Sequence, residues 1–405
     1  TGVLAVAGAI AFASIHLDLL RMSSGVFRFG VFEDPASVSV VFYRDGKTTS
    51  VALLQFQEGL SLRTNGKSDG AINLAEGARI RRRTRFAGIP EASPARGDEC
   101  SDSDYDGPRS CTLVSARPLP DVIAAAHEAM LANHNHYTPF DGIRGLKEAL
   151  VKRYGAYNGL DVATENVVVS AGATGAFESI CKAFLEPGDE VVMLDPVYNY
   201  HLRQVEERRA TTRFVPLRAP DWSLDMDRLE AAVTRRTKLM VFSNPHNPTG
   251  KVFTRAELED IGDICRRNGV IVVVDEVYEY ILPGVTSSHL SMATLPGMFD
   301  HTITISAASK TLFVTGWRVG WAVGPAEVMP AIGVKSDETY VCAPSPFQHA
   351  VARTYMREDG FFERIAANFQ GKADRLVPAL QRAGFEAVVP DGAYYVLADY
   401  RALGW

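Results

Sequence analysis

A lysine and an arginine follow an apolar run that resembles a buried strand. Lys310 comes shortly after the run at 302–305, and Arg318 lies within Gly316-Trp317-Arg318-Val319-Gly320. Two cations beside a buried strand are unusual, because an unpaired charge is costly to remove from water. The pair is explained if the Lys310 amine bonds covalently to an aldehyde cofactor while Arg318 neutralises a phosphate of that cofactor. Taken alone, Lys310 also fits a solvated loop lysine.

Two predicted strands upstream end in polar residues. The run at 238–242 leads into a turn that contains Asn247, and the run at 270–274 ends at Asp275. Continuous β-branched runs are typical of central strands covered on both faces. Ligands of open α/β sheets lie at the carboxyl ends of the strands, so we expect Asn247, Asp275 and Lys310 at one edge. Asp275 there would need a cationic partner such as a protonated pyridine nitrogen; a helix-capping carboxylate is the alternative.

A glycine-rich turn predicts a site for the phosphate. The predicted strand 167–170 is followed by Ala171-Gly172-Ala173-Thr174-Gly175-Ala176, which opens a helix. Small residues let the backbone approach an anion, which the free N–H groups and the helix dipole attract. The Thr174 hydroxyl adds a donor. The turn lacks the GxGxxG spacing of a dinucleotide site.

Together these residues resemble the class I and II aminotransferases of the pyridoxal-phosphate fold-type-I group, over roughly residues 120 to 405. Segments 137–142, 289–298 and 315–317 are most similar to the kynurenine aminotransferase, glutamine transaminase K and cysteine-conjugate β-lyase branch. The motifs that carry the resemblance are Gly172-Ala173-Thr174, Asn247-Pro248-Thr249-Gly250, Asp275-Glu276-Val277-Tyr278, Lys310 and Gly316-Trp317-Arg318.

The resemblance implies an α/β fold with a mostly parallel, seven-stranded sheet covered by helices, plus a smaller, incomplete α+β domain. The hydrophobic pattern agrees with an alternation of helices and strands from residue 120 onward. We predict sheet strands near 167–170, 190–194, 212–216, 238–242, 270–274, 302–306 and 320–323, then helices at 348–356 and 361–382, and small-domain strands at 385–389 and 394–398.

The resemblance also implies roles for individual residues. Lys310 would hold the cofactor and move the proton at the substrate Cα, and Asp275 would pair with the pyridine nitrogen. Tyr278 would act with Asn247 on the ring oxygen. The residues implied in binding pyridoxal 5'-phosphate are Ala173, Thr174, Tyr198, Asn247, Asp275, Tyr278, Ser309, Lys310, Arg318 and, from a neighbouring subunit, Tyr137.

Some of these residues have alternative interpretations, and the chain departs from the family pattern twice. Tyr198 and Tyr137 also fit ordinary core aromatics. Ala307 stands where the family usually has a phosphate-binding serine, so a neighbouring serine would have to substitute. The family's carboxylate-binding arginine would lie beyond the last residue, and Arg401 does not match its motif. We therefore expect a truncated chain that transaminates poorly.

The first 118 residues are of a different kind. Alternating runs at 37–43 and 49–54 predict a β-hairpin, which a piece at 60–67 extends into a meander. Residues 23–70 resemble the small β-domain of spermidine-synthase-like proteins, which indicates a fusion. The predicted division is a β-rich segment at 1–75, a charged and poorly ordered connector at 76–118, a large domain at 119–340 and a small, incomplete domain at 341–405.

Bulk composition favours an enzyme without nucleic-acid or membrane partners. The chain has 405 residues, a net charge of -6 and five cysteines, which are scattered and lack metal-ligand spacing. We expect reduced thiols, no metal, no stable membrane insertion and a cytoplasmic location.

Three hypotheses for function follow. The first is a pyridoxal-phosphate-dependent aminotransferase that acts on an L-amino acid and a 2-oxo acid as a homodimer with shared sites, with β-lyase side activity. The second is a truncated protein that binds the cofactor but is catalytically impaired. The third is a non-enzymatic regulatory module on a transaminase fold. The third is disfavoured because residues 1–118 carry no helix-turn-helix pattern.

Overall fold

The computed structural model describes residues 38–44, 51–56, 59–64, 67–73, 118–284 and 289–399. The described residues belong to two compact units, an N-terminal one and a larger α/β one. Nearly all of the predicted connector lies outside the described residues, and the predicted domain boundaries stay predictions.

The N-terminal unit contains a four-stranded antiparallel meander. Its strands pair in the order β1-β2-β3-β4, with Val40 opposite Leu54 and Leu53 opposite Leu62. The predicted hairpin and its extension are confirmed, and one further strand continues them. The strands are β1 (Val38–Arg44), β2 (Val51–Phe56), β3 (Gly59–Thr64) and β4 (Lys67–Asn73).

The larger unit alternates helices and strands. It begins with two helices, α1 (Pro120–Leu131) and α2 (Arg144–Asn158). The elements that follow are β5 (Val167–Ser170), α3 (Gly172–Phe184), β6 (Glu190–Asp195), α4 (Asn199–Glu207), β7 (Thr211–Arg218), β8 (Ser223–Leu224), α5 (Met226–Ala232), β9 (Thr237–Ser243), α6 (Arg255–Arg267), β10 (Ile271–Asp275), β11 (Thr302–Ala307), α7 (Ala308–Thr311) and β12 (Gly320–Val323).

These strands form one mixed sheet in the order β5-β12-β11-β10-β9-β6-β7-β8. Strands β11, β10, β9, β6 and β7 are parallel, while β12 is antiparallel to both β11 and β5. The mostly parallel sheet is therefore confirmed. It has eight strands where seven were predicted, because the two residues of β8 pair antiparallel with the end of β7.

Helices cover both faces of the sheet. Val241 of β9 belongs to a buried cluster with Phe177 and Ile180 of α3. The next residue back, Met240, belongs to a second cluster, with Ile261 of α6. Successive strand residues point to opposite faces, so each central strand buries both sets of side chains. Burial of such a side chain stabilises the fold by roughly 1.5–3 kcal/mol.

Helix α6 illustrates how local sequence fixes an element. Thr254 and Glu257 form a capping box, in which the Thr254 hydroxyl accepts from the Glu257 N–H at 3.2 Å. The Thr254 N–H in turn donates to the Glu257 carboxylate at 2.9 Å. Leu258 and Ile261 face the core, and Gly269 follows the helix with a φ of 65°. The capping box satisfies backbone donors that the helix leaves unpaired, and the turn at Gly269 satisfies backbone carbonyls at its other end.

The C-terminal part of the described chain is helical, and its predicted strands are largely wrong. The predicted helix 361–382 is confirmed. In place of strands at 385–389 and 394–398, the structure has one short antiparallel pair, in which Glu386–Ala387 pairs with Ala398–Asp399. None of the helices in the described residues combines the length and the apolar character that a membrane span requires. The elements are α8 (Met329–Tyr340), α9 (Ser345–Tyr355), α10 (Phe361–Arg382), β13 (Glu386–Ala387) and β14 (Ala398–Asp399).

Glu190, the first residue of β6, is a carboxylate with almost no exposed surface. Arg213 of β7 donates to its carboxylate through two nitrogens, at 2.6 and 3.0 Å. Arg236 also contacts it, and the Thr234 hydroxyl donates to it at 2.6 Å. Hydrogen bonds from Arg213 and Thr234 lower the pKa of Glu190 to about 2, against the opposing effect of burial. The ionised group therefore joins β6, β7 and the turn before β9.

We predict that Glu190→Gln lowers the free energy of unfolding at pH 7 by about 2 kcal/mol, because hydrogen bonds to a charged group are lost. The folded protein holds this carboxylate with a pKa below its ordinary value, so the stabilisation is full above about pH 4.5 and fades as the pH falls towards 2. Urea titrations at pH 7 and pH 3 measure this.

The control is Glu230→Gln, which removes one exposed ion pair with Arg267. We expect a change below about 0.5 kcal/mol for it. A Glu190→Gln difference that is equally large at both pH values would contradict the charged-pair explanation.

Candidate active site

Several strands bring their carboxyl ends to one edge of the sheet. Strands β9, β10 and β11 are parallel, and β12 is antiparallel to both β11 and β5, so β5 points the same way as β11. The residues at these strand ends include Gly172, Asn247, Asp275 and Lys310. Arg318 lies just before β12 begins at the same edge. The topology thus places these five residues at one edge of the sheet.

Lys310 lies in the short helix α7 among tyrosine rings. Its Nζ donates to the Tyr394 hydroxyl at 2.6 Å. The same nitrogen is 5.3 Å from the centre of the Tyr394 ring and 5.8 Å from that of Tyr278. Among the described residues no carboxylate forms an ion pair with Lys310. Its amine is therefore half-buried next to phenol oxygens and aromatic faces, without a fixed counter-charge.

Asp275 is a buried carboxylate at the end of β10. One oxygen accepts the Val277 N–H at 3.1 Å, and the other lies 3.4 Å from His201 Nε2. His201 packs against the Phe177 ring at 4.4 Å and edge-on to Tyr198 at 5.1 Å. The histidine and the Val277 amide hold the carboxylate in a single orientation.

Tyr278 and Asn247 occupy neighbouring turns. The Tyr278 hydroxyl lies 2.9 Å from that of Tyr395, and burial raises the pKa of Tyr278 well above its ordinary value. The phenol is therefore protonated at neutral pH and can donate a hydrogen bond. Asn247 follows β9, where its backbone N–H donates to the Ser243 hydroxyl at 2.9 Å. Its side chain is half-buried.

Arg318 and the start of α3 form an anion cradle. A Cβ on Gly172 would lie 2.4 Å from an Arg318 guanidinium nitrogen, and one on Gly320 would lie 2.5 Å from the Ala173 amide nitrogen. Arg318 itself adopts a left-handed backbone with a φ of 52°, which is costly for a residue with a side chain. The guanidinium donates to the carbonyls of Ala171 and Thr315, each at 3.2 Å.

These two contacts leave further N–H donors of a five-donor group available for an anion. No carboxylate in the described part of the chain forms an ion pair with Arg318. Thr174 lies in the first turn of α3, half-buried, with its carbonyl accepting from Gln204 at 3.0 Å. Positive charge, helix N–H groups and a hydroxyl thus meet at one place.

The serines near Lys310 differ in their surroundings. Ser306 lies 3.4 Å from the Glu279 carboxylate, so its hydroxyl belongs to a buried acidic cluster. Ala307 is buried in the core and has no hydroxyl that could bind a phosphate. Ser309, which directly precedes Lys310, is buried in α7. Of the two neighbouring serines, Ser309 stays the predicted phosphate ligand.

Tyr137 differs from the other predicted site residues in its high exposure. Its side chain is 84% exposed, in the loop between α1 and α2. The loop itself is held in place, because Gln348 donates to the Thr138 hydroxyl at 3.1 Å and accepts from the Ile143 N–H at 2.9 Å. The chain thus presents an exposed tyrosine on a fixed loop.

Behind the strand edge lies the acidic cluster, made of Glu276, Glu279 and His289. Glu276 lies 3.3 Å from His289 Nε2. Burial would lower the pKa of His289, but the two carboxylates outweigh that effect and raise it. Burial raises the pKa of Glu279 to about 7, against the attraction of His289 and Arg153. The cluster anchors the segment whose other face carries Asp275 and Tyr278.

Sequence reasoning missed two contacts of the site. His201 follows Tyr198 by three residues, a helical spacing that could have suggested a shared face with it. Tyr394 was assigned to a strand, although its hydroxyl contacts Lys310. That contact spans 84 residues, so no local pattern could have revealed it.

We predict that Glu279→Gln raises the free energy of unfolding more at pH 8 than at pH 5. The folded protein keeps a proton on Glu279 that the unfolded chain releases, so the wild-type protein loses stability as the pH rises from about 4.5 to about 7. A shift of this size corresponds to about 3 kcal/mol at most. Thermal unfolding at both pH values measures it.

Glu259→Gln, which alters an exposed carboxylate on α6, is the control. Its effect should be small and similar at both pH values. The assignment fails if Glu279→Gln destabilises the protein equally at pH 5 and pH 8.

Comparisons with known proteins point to one family. The family model for aminotransferase class I and II matches residues 109–403. Kynurenine--oxoglutarate transaminase 3 of Mus musculus is 35% identical over 295 residues, which are 68% of this chain and 64% of that protein. The chain thus spans less than two thirds of the length of that relative.

Two further matches concern one enzyme of Mycobacterium tuberculosis. Its probable N-succinyldiaminopimelate aminotransferase DapC is 35% identical over 306 residues, 75% of this chain and 74% of the relative. The solved structure of N-succinyldiaminopimelate aminotransferase from that organism matches with a TM-score of 0.70 and 34% identity, over 72% of this chain and 76% of the other.

The match to the family model at 109–403 does not reach residues 23–70, whose resemblance to spermidine-synthase-like proteins stays a prediction. The family match and these relatives establish that the chain belongs to the class I and II aminotransferases.

Proposed function

We propose that this protein is a pyridoxal-phosphate-dependent aminotransferase that transfers the amino group of an L-amino acid to a 2-oxo acid. The observation that carries the proposal is the meeting of an amine, a carboxylate and an anion cradle at one sheet edge. They are provided by Lys310, Asp275, and Arg318 with the start of α3. Because the chain spans 64% of the kynurenine transaminase relative, the activity of the whole relative is carried over only as a proposal.

The donor groups suit the three functional parts of the cofactor. The Lys310 amine would attach the aldehyde, and Asp275 would hold a proton on the ring nitrogen. The cradle would bind the phosphate, with Ser309 completing the set of Ala173, Thr174 and Arg318. When bound, pyridoxal phosphate supplies a ring that withdraws electrons from the substrate Cα. Lys310 would then move the proton at that carbon.

The aromatic and amide groups would orient the ring. Tyr278 is a protonated phenol and Asn247 has an amide donor, so both suit the ring oxygen. Tyr198 lies edge-on to His201, which contacts Asp275, and this supports Tyr198 as the residue that would cover the ring. The same chemistry at Cα would allow β-elimination as a side reaction.

We also propose a homodimer with shared sites. Tyr137 stands exposed on a loop that Gln348 holds in place, which suits a residue that reaches the phosphate of a neighbouring subunit. The partner would in turn supply the equivalent tyrosine to this chain.

We also propose that the protein is located in the cytoplasm. The described cysteines Cys181, Cys265 and Cys342 are free thiols. Burial raises the pKa of Cys265 to about 12 and that of Cys181 further, so neither forms a reactive thiolate near neutral pH. Reduced, unreactive cysteines are typical of cytoplasmic proteins.

The first prediction for this function concerns cofactor attachment. Adding pyridoxal phosphate to the purified protein should produce the visible absorbance band of a lysine-bound cofactor, and borohydride should fix the cofactor to Lys310. Lys310→Ala should abolish both, while Lys152→Ala, which alters an exposed lysine on α2, should change neither. Peptide mass spectrometry locates the modified residue. A wild-type protein without the band would refute the proposal.

The second prediction separates cofactor binding from catalysis. Asp275→Asn should retain the cofactor but slow the exchange of the substrate Cα proton on the order of 100-fold, because a neutral amide cannot stabilise the protonated ring nitrogen. Exchange of L-glutamine in D₂O, followed by NMR, measures this. Asp263→Asn, on the exposed face of α6, is the control. Unchanged exchange in Asp275→Asn would remove Asp275 from the mechanism.

A further inference from the structure

Residues 390–395 cross over the candidate site, and we call this segment the tyrosine strap. Three backbone hydrogen bonds hold it to the turns beyond β9 and β10. The Gly392 N–H donates to the Gly250 carbonyl at 2.7 Å, and the Ala393 N–H to the Ile281 carbonyl at 2.8 Å. The Gly284 N–H donates to the Asp391 carbonyl at 3.2 Å. The strap is thus attached to the segments that carry Asn247 and Tyr278.

Three glycines make this close seating possible. A Cβ on Gly250 would lie 2.4 Å from Pro390 Cβ, and one on Gly392 would lie 2.5 Å from Pro245 Cβ. A Cβ on Gly284 would lie 2.7 Å from the Pro390 carbonyl oxygen and 2.8 Å from Asp391 Cα. Backbone and proline atoms cannot move aside as the end of a flexible side chain can. A side chain at any of these three positions would therefore push the strap away from the turns.

In this position the strap brings two tyrosines into the site, and each contacts a different site residue. The Tyr394 hydroxyl accepts from Lys310 Nζ at 2.6 Å, and the Tyr395 hydroxyl lies 2.9 Å from that of Tyr278. The Tyr394 ring packs edge-on to Tyr278 at 5.1 Å and stacks with Phe369 at 6.0 Å. Ring packing fixes where the Tyr394 oxygen lies, and that oxygen fixes Lys310 Nζ.

We propose that Tyr394 is a positioning residue for Lys310, holding its amine ready to bond to and release the cofactor aldehyde; this inference rests on the proposed function. A lysine side chain has four flexible carbons and loses substantial rotamer entropy when it is held in one place. Fixing a reacting atom before the reaction lowers the barrier, since that entropy is already lost. Tyr394 would keep its hydrogen bond to Nζ until the carbon–nitrogen bond forms. The two N–H protons of the neutral amine would then leave with the aldehyde oxygen as water, and hydrolysis on release would return them.

The proposal predicts an effect on rates that exceeds the effect on affinity. In stopped-flow mixing of the full chain with pyridoxal phosphate, Tyr394→Phe should slow the appearance of the lysine-bound absorbance band by about tenfold, as expected for loss of one hydrogen bond that holds the attacking amine in place. The release rate, measured after dilution, should fall in parallel. The dissociation constant should stay within about threefold of that of the wild-type protein, because the phenylalanine ring keeps the packing.

Two other variants make the test specific. Tyr157→Phe removes a hydroxyl that donates to the Glu279 carbonyl at 3.0 Å, away from Lys310, and should leave both rates unchanged. Gly284→Ala should push the strap outward through Pro390 and Asp391, so it should slow both rates while every hydroxyl remains. Thermal unfolding of each variant verifies that the protein is folded.

The outcomes separate this inference from the proposed function. If the wild-type chain gives no absorbance band, both fall together. If the band appears and Tyr394→Phe matches the wild-type rates within about twofold, only the role of Tyr394 is overturned. A Tyr394→Phe variant that loses affinity while its capture rate is unchanged would assign Tyr394 to cofactor binding and would also overturn the positioning role.

Discussion

The direction of the strands is the constraint on which the candidate site depends. Strands β9, β10 and β11 run parallel, and the reversed β12 returns the chain so that β5 points the same way. Residues from distant parts of the sequence, from Gly172 to Arg318, therefore reach one edge. A parallel sheet must be covered on both faces, and the two clusters around Val241 and Met240 provide that cover. Site geometry and core packing are consequences of one topology.

The sequence predicted the parts of this arrangement whose signal is local. Continuous β-branched runs marked the central strands. Strand β8 was not predicted, because two residues are too few to show a hydrophobic period. The strand predicted at 394–398 was wrong for a physical reason. Tyr394 and Tyr395 have β-forming side chains, but their hydroxyls contact Lys310 and Tyr278, and tertiary contacts override local propensity.

The sequence predicted which residues form the candidate site better than it predicted how those residues contact one another. Lys310, Asp275 and Arg318 are charged groups at the ends of buried runs, which is an unusual pattern that the family resemblance explains. The contact between Asp275 and His201, and that between Lys310 and Tyr394, depend on helices and turns whose positions only the fold determines. Ser306 and Ser309 differ by three residues along the chain. The strand-to-helix change at Ala307 turns the first towards Glu279 and leaves the second beside Lys310.

The side chains at the end of β10 and in the turn after it face either the candidate site or the protein interior. Asp275 and Tyr278 face the edge where the cofactor would bind, whereas Glu276 and Glu279 face inward and share a buried histidine. Burying two carboxylates is unfavourable unless neighbouring groups compensate; here the carboxylates raise the pKa of His289, and Ser306 lies beside Glu279. The inner cluster thus fixes the backbone from which the outer groups project. The tyrosine strap closes the same segment from the other side, so Lys310 meets groups held by the core and by the strap.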